Sequence, residues 1–114
     1  FVPFKKCKPF FAMTAHVLYK KIDPNFTATH SKIIIEKIIR KYMNFNGLII
    51  SDDISMKALR YGLKKNTTLA LDAGCNLVLH CNGNIDEMKR IAKIVPQIDN
   101  FTLKKTSQFY NFLR

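Results

Sequence analysis

Three short apolar segments stand out against the more polar remainder of this chain. Each is almost continuously apolar rather than alternating, which is typical of parallel β-strands that are covered on both faces. The segments are FAMTAHV (residues 11–17), GLIIS (residues 47–51) and CNLVLHC (residues 75–81). The pattern therefore predicts three buried parallel strands.

Helical patterns lie between and after these segments. Residues 31–44 begin with Ser31, a favourable N-cap, and bring Ile34, Ile38 and Tyr42 to one face of a helix. Apolar spacing together with Gly62, Gly74 and Pro96 as terminators predicts four more helices, over residues 54–62, 64–74, 83–95 and 107–113. In the third of these, the apolar face would consist of Ile85, Met88, Ile91, Ala92 and Val95.

The resulting order, β-α-β-α-α-β-α-α, predicts an α/β fold built from right-handed βαβ units with a parallel sheet. Two architectures fit this order. One is part of an eight-stranded α/β barrel, of which 114 residues would supply less than half, since a whole barrel needs about 250 residues. The other is a small doubly wound sheet that lacks neighbouring strands. The chain opens on FVPFKKCKPFF without a methionine, as expected of a piece of a larger protein.

Composition and charge exclude several classes of protein. The chain is 47% hydrophobic and 24% charged, which is typical of a globular domain, and it has no apolar run of bilayer length. Its formal charge of +11 would suit nucleic acid or an acidic membrane. The lysines are nevertheless scattered over many segments, so we expect neither a nucleic-acid partner nor a membrane partner.

The three cysteines, Cys7, Cys75 and Cys81, form no C-x-x-C pair and are odd in number. Free thiols are typical of a reducing compartment, and we expect the protein to be cytoplasmic. Cys75, His80 and Cys81 are close in sequence, but zinc sites need closely paired ligands with a second pair elsewhere. We therefore expect no metal and no cofactor.

Candidate chemistry collects where the predicted strands end, because functional groups of parallel α/β folds lie at the carboxyl ends of strands. The polar residues at these ends are Thr14, His16, Ser51, Asp52, Asp53, His80 and Cys81. Asp53 or Ser55 would cap the helix that begins near Ile54. Because two adjacent aspartates cannot both serve as the same cap, Asp52 is left without a structural explanation. A carboxylate there could act as a nucleophile or as an electrostatic stabiliser. His16 could equally be a hydrogen-bonded strand-end residue, and Met56 could belong to the helix core or lean over a pocket.

The joint pattern of four segments resembles the bacterial β-N-acetylhexosaminidases of glycoside hydrolase family three. The segments are AMTAHVLYKKID (residues 12–23), TATHS (residues 27–31), NFNGLIISDDISMKAL (residues 44–59) and ALDAGCNLVLHCNG (residues 70–83). They occur in the order and with the spacing of that family. Beyond Asn84 the likeness is limited to helical pattern.

The resemblance implies that residues 1–114 are a partial catalytic domain with about strands six to eight of a (β/α)8 barrel. Such enzymes act in the cytoplasm, where they remove terminal N-acetylglucosamine from peptidoglycan fragments with retention at the anomeric carbon. It also implies a carbohydrate substrate and a nucleophile at Asp52, the first aspartate of SDD. We expect His16 and Met56 to contact substrate and Asp53 to be a structural cap.

The chain also departs from the family pattern. The family's acid/base is a histidine paired with an aspartate on a K-H-F-P-G-H-G loop upstream of MTAHV, and this chain has no such motif. Thr27 replaces a usual proline, which should loosen a turn, and Asn76 replaces a usual aspartate, which should remove a polar contact. Two hypotheses follow. The chain is part of an active hydrolase completed by the missing N-terminal part of the barrel, or it is a degenerate remnant that acts at most as a basic binding protein.

Overall fold

The computed structural model describes residues 2–7 and 9–114. It contains three strands, a π-helix and four α-helices. In chain order these are α1 (Val2–Lys6), β1 (Phe11–Met13), the π-helix (Ile33–Tyr42), β2 (Leu48–Asp53), α2 (Leu63–Ala73), β3 (Leu77–Leu79), α3 (Ile85–Ala92) and α4 (Asn100–Phe112). No helix in these residues is long and apolar enough to cross a membrane.

The sheet is parallel, with β2 between β1 and β3. This confirms the predicted α/β class and all three predicted strands, although β1 and β3 are shorter than the apolar segments that contain them. The π-helix and α2 pack on the sheet through a cluster around the fully buried Ile49, together with Ile35, Ala70, Ala73 and Cys75. A second cluster of Ile54, Leu59 and Ile91 joins the end of β2 to α3.

The helix predicted from residue 31 is present, but it is a π-helix rather than an α-helix. Its hydrogen bonds reach five residues back, as from the Met43 N–H to the Ile38 carbonyl at 2.8 Å. Ser31 does cap its beginning, since its Oγ accepts a hydrogen bond from the Ile34 N–H at 3.1 Å. The buried face differs in part from the predicted one. Ile34 is buried as predicted, but Tyr42 is exposed, and Ile35 and Ile39 pack on the core.

Other helices differ from their predicted extents. The helix predicted over residues 54–62 is wrong, because this segment forms turns. The last helix begins at Asn100 rather than at residue 107, since the Asp99 carboxylate accepts a hydrogen bond from the Thr102 N–H and caps it there. The α2 helix ends as predicted at Gly74, whose φ of +114° is a conformation that glycine adopts without strain.

The amino ends of the strands are joined by Arg40 and Asn76. Arg40 donates hydrogen bonds to the carbonyl oxygens of Phe45 (3.1 Å) and Gly47 (2.6 Å) and to Asn76 Oδ1 (2.7 Å). Asn76 Oδ1 also accepts from the Ile49 N–H, and its Nδ2 donates to Thr102 Oγ1 on α4. The expectation that Asn76 removes a polar contact at the start of the last strand is therefore wrong, because this amide is hydrogen-bonded at both ends.

We predict that Asn76→Ala lowers the free energy of unfolding by about 2–4 kcal/mol, because it leaves a half-buried guanidinium and a strand N–H without their acceptor. Asn76→Asp should stay within about 1 kcal/mol of the parent chain, since a carboxylate still accepts from Arg40 and Ile49. Urea denaturation followed by circular dichroism measures both, with Asn111→Ala on the exposed face of α4 as the control. Equal stabilities of the Asn76→Ala and Asn111→Ala variants would contradict the assignment.

Candidate functional site

The site is built on an irregularity in the pairing of β2 with β3. Ile50 is paired with Leu77 and Asp53 with Leu79, so that β2 uses one more residue than β3 between the two pairs. Ser51 fills the gap, because its fully buried Oγ accepts a hydrogen bond from the Leu79 N–H at 3.0 Å. A β-bulge of this kind bends the strand and redirects its side chains, and bulges are frequent next to active sites.

Asp52 lies within this bulge, at the carboxyl end of the central strand. Its side chain is half-buried, and Oδ1 accepts a hydrogen bond from the Asp53 N–H at 2.8 Å. The stiff segment formed by Ile49 and Ile50 precedes it in the middle of the sheet. The carboxylate is therefore held on a rigid element through one oxygen, and within residues 2–7 and 9–114 its second oxygen accepts no hydrogen bond.

The Asp53 carboxylate is held by hydrogen bonds from neighbouring protein groups. It accepts hydrogen bonds from the Ser55 N–H (3.0 Å), the Ser55 hydroxyl (2.8 Å) and the Cys81 N–H (3.2 Å). Burial raises the pKa of this carboxyl, but these three donors and the nearby His80 outweigh burial and leave the pKa below its ordinary value. Asp53 is thus an ionised structural anchor that joins the ends of β2 and β3.

The predicted role of Asp53 as a helix cap needs a correction, because no helix follows it. The Ile54 N–H remains bonded to the Leu79 carbonyl at 2.9 Å, which continues the sheet instead of starting a helix. The Asp53 side chain then closes a turn onto Ser55, a local arrangement with which aspartate competes against helix formation.

His16 lies between β1 and β2. One ring nitrogen, Nε2, donates to the backbone carbonyl of Asp53 at 2.8 Å, and Nδ1 lies 2.8 Å from Thr29 Oγ1. Thr29 Oγ1 in turn lies 2.9 Å from Thr14 Oγ1. Both nitrogens of His16 are therefore engaged within the protein, and one of them holds the backbone next to Asp52. Contact of His16 with substrate stays a prediction.

Met56 and His80 lie on the other side of the same turn. The Met56 side chain is 45% exposed and lines a groove of about 280 Å³ with Asn82 and Glu87. His80 Nε2 lies 2.8 Å from Glu87 Oε2 on α3. The sequence pattern did not single out Glu87, although it is an acid in the first turn of the helix that follows His80. Contact of Met56 with substrate stays a prediction.

The cysteine and histidine residues near β3 do not converge. Cys75 is buried under the sheet and burial raises the pKa of its thiol to about 12, whereas Cys81 is exposed. Within residues 2–7 and 9–114, no group of three or more His, Cys, Asp or Glu side chains is arranged to hold a metal ion.

Residues 8–107 match the sequence model of the glycosyl hydrolase family 3 N-terminal domain. The chain belongs to glycosyl hydrolase family 3. The resemblance seen in the sequence is thereby confirmed. Among curated family 3 relatives, a β-hexosaminidase from Nitrosomonas eutropha is 47% identical over 72 residues, which cover 61% of this chain and 20% of the relative. A second β-hexosaminidase, from Neisseria meningitidis serogroup B, is 35% identical over 101 residues, which cover 85% of this chain and 27% of the relative. The chain thus spans about a quarter or less of the length of these proteins.

Solved family 3 structures share the fold. The β-N-acetylglucosaminidase from Thermotoga maritima superimposes with a TM-score of 0.74 and 27% identity, over 97% of this chain and 28% of its own. NagZ from Neisseria gonorrhoeae, solved in complex with N-trifluoroacetyl-D-glucosamine, superimposes with a TM-score of 0.67 and 28% identity. The match covers 82% of this chain and 26% of NagZ. The described strands and helices therefore correspond to a contiguous part of larger family 3 enzymes.

We predict that Ser51→Ala disorders the bulge that carries Asp52. The Leu79 N–H loses its acceptor in a part-buried position, which should cost about 1–3 kcal/mol of unfolding free energy. Amide hydrogen exchange at Leu79 should accelerate. Ser107→Ala on exposed α4 is the matched control and should change neither quantity, and an unchanged Leu79 exchange rate in Ser51→Ala would contradict this account of the bulge.

Proposed function

We propose that this chain supplies the nucleophile-bearing part of a retaining β-N-acetylhexosaminidase, with Asp52 as the nucleophile. The substrate class would be glycosides with a terminal N-acetylglucosamine, and peptidoglycan fragments in cell-wall recycling are the proposed source. The proposal applies the named activity of the longer relatives to this shorter chain.

The observation that supports the proposal most strongly is that two adjacent carboxylates, Asp52 and Asp53, differ in how many hydrogen bonds they accept. Asp53 is occupied by Ser55 and Cys81. Asp52, redirected by the bulge, accepts a single described hydrogen bond from its neighbour's N–H. A nucleophile that forms a glycosyl-enzyme needs a rigidly aimed carboxylate oxygen that is not already saturated.

We further propose that β1, β2 and β3 are about the sixth to eighth strands of a (β/α)8 barrel, with residues 1–114 forming part of its catalytic domain. Parallel order, helices between strands and polar groups at the carboxyl ends support this. Within the described residues, β1 and β3 each pair on one side only. The missing N-terminal part of the same barrel would cover these edges and is the protein partner that we propose.

The proton donor would also come from that missing part. General acid catalysis contributes roughly a hundredfold to ten-thousandfold to such a reaction, so we expect the 114 residues alone to have little or no activity. The three free thiols, Cys7, Cys75 and Cys81, favour a reducing compartment, and we propose the cytoplasm.

The test combines this chain with a second polypeptide that carries the upstream strands of a family 3 relative. Release of a chromogenic aglycone from an N-acetylglucosaminide is then measured. We predict turnover for the combination, a loss of about 10⁴-fold or more in Asp52→Ala, and little loss in Asp72→Ala, an exposed carboxylate on α2. Mass spectrometry after rapid denaturation should find this chain carrying one N-acetylhexosaminyl group, and Asp52→Ala should lack it.

Turnover that survives Asp52→Ala would contradict the assigned nucleophile. If the combination folds but gives no turnover, the degenerate, non-catalytic alternative is favoured. Circular dichroism of the combination distinguishes that result from a simple failure to assemble.

A further inference from the structure

A groove of about 510 Å³ lies between the beginning of α2 and the end of α3. Its floor is apolar, since Leu63, Ile91 and Ile94 line it. Ile91 is buried against Ile54 and Leu59, whereas Leu63 and Ile94 are only half-buried. Among the described residues, none from a strand lines the groove. The open edges of β1 and β3, which the missing part of a barrel would cover, are therefore not part of it.

Four cationic residues surround this apolar floor. They are Lys64 and Lys65 on α2 and Arg90 and Lys93 at the end of α3, and no described lining residue is acidic. All four are exposed. Long cationic side chains lay their methylene stems along apolar surface and keep their charged ends in water. The groove thus combines an apolar floor with positive charge at its mouth.

No acid of this chain neutralises that charge. Within residues 2–7 and 9–114, none of the four cations is in an ion pair. Lys65 Nζ lies 4.1 Å from the centre of the Tyr61 ring, and the Arg90 side chain donates to the Asp86 backbone carbonyl at 3.4 Å. The carboxylate of Glu87, which interacts electrostatically with Arg90, is already hydrogen-bonded to other side chains. The positive charge is therefore available to an anionic partner.

The shape and lining of the groove select the kind of partner. A bilayer surface is flat and does not enter a concave groove, and single-stranded nucleic acid needs aromatic rings for base stacking, which the described lining lacks. An acidic amphipathic helix fits both features, because its apolar side chains can enter the floor while its carboxylates meet the cations. The first turn of α2, which has no acidic residue, adds the positive end of a helix dipole.

We propose that this groove binds an acidic amphipathic helix of a partner protein. The proposal does not depend on the glycosidase activity, since the groove shares no lining residue with Asp52 or its hydrogen-bond partner.

The experiment measures binding of the full chain to a fluorescein-labelled peptide by fluorescence anisotropy at physiological ionic strength. The probe is a helical peptide with leucines at i, i+3, i+4 and i+7 and glutamates on its other face. We expect saturable binding with a Kd on the order of 10–100 μM, because the groove is much smaller than a standard protein interface. The same peptide with glutamines in place of the glutamates should bind at least about tenfold more weakly.

Two double variants separate the groove from the general positive charge of the chain. Lys64→Gln combined with Lys93→Gln should weaken binding of the acidic peptide about tenfold, because two charges at the groove are lost. Lys37→Gln combined with Lys104→Gln removes the same charge from exposed positions outside the groove and should change affinity less than about twofold.

A further pair of variants tests the apolar floor at constant charge. Ile94→Ser should weaken the peptide about fivefold, because it removes apolar surface that a leucine of the peptide would cover. Leu103→Ser, at an exposed position on α4, is the control and should have no effect. Circular dichroism of each variant checks that the fold is retained.

Four results would overturn the proposal. The first is no saturable binding of the acidic peptide. The second is an equal loss of affinity in the two double variants, which would assign the effect to net charge. The third is unchanged binding in Ile94→Ser. The fourth is tighter binding, lost in the Lys64 and Lys93 double variant, of a uridine oligonucleotide or of phosphatidylglycerol vesicles, which would assign the groove to nucleic acid or to a membrane.

Discussion

One half-buried cation, Arg40, joins the amino ends of β2 and β3. Its guanidinium binds the two carbonyl oxygens that lead into β2 and the amide of Asn76 that precedes β3. The rings of Phe45 and Phe101 lie 5.6 Å and 5.3 Å from it. The described hydrogen-bond partners of Arg40 are all neutral. Burial lowers the pKa of its guanidinium, which nevertheless stays charged. The charge is thus stabilised by dipoles and aromatic faces in place of an ion pair.

This arrangement explains several local features of the sequence. Gly47 must lack a side chain, because a Cβ there would lie 2.6 Å from both the Phe10 carbonyl oxygen and the Phe45 ring. The close approach brings the Gly47 carbonyl to Arg40 and starts β2 in register with β1. The register set there holds along β1 and β2 as far as Met13 and Ile50, whereas between β2 and β3 the bulge shifts it. The Arg40 contacts thus lie at the amino end of the sheet and the candidate chemistry at its carboxyl end.

The elements that the sequence predicts well are those whose signal is local. Near-continuous apolar runs identified the three strands, and Gly74 identified the end of α2. The failures have a different origin. Residues 54–62 have the composition of a helix, but the Ile54 N–H bonds β3, a partner 25 residues further along the chain that no local pattern reveals. Likewise Ile85 and Met88 have helical apolar spacing, yet they are 59% and 45% exposed, whereas Ile91 on the same face is buried against Ile54 and Leu59.

The candidate site likewise has one feature that the sequence predicts and others that it does not. Asp52 could be singled out from sequence, because two adjacent acids cannot both serve as the same cap. The other features of the site involve backbone groups, which carry no residue-specific signal. They are the β-bulge, the hydrogen bond from His16 to the Asp53 carbonyl and the hydrogen bond from the Cys81 N–H to the Asp53 carboxylate.

These backbone contacts also separate two requirements of a glycosidase. Under the proposed function, Asp52 is positioned by β1, β2 and β3, which this chain contains, whereas the leaving group would be protonated by a side chain on another part of the barrel. The geometry around Asp52 can therefore persist in a chain that has no activity by itself. For this reason amide exchange at Leu79 reports on the bulge that carries Asp52, whereas turnover also requires the rest of the active site.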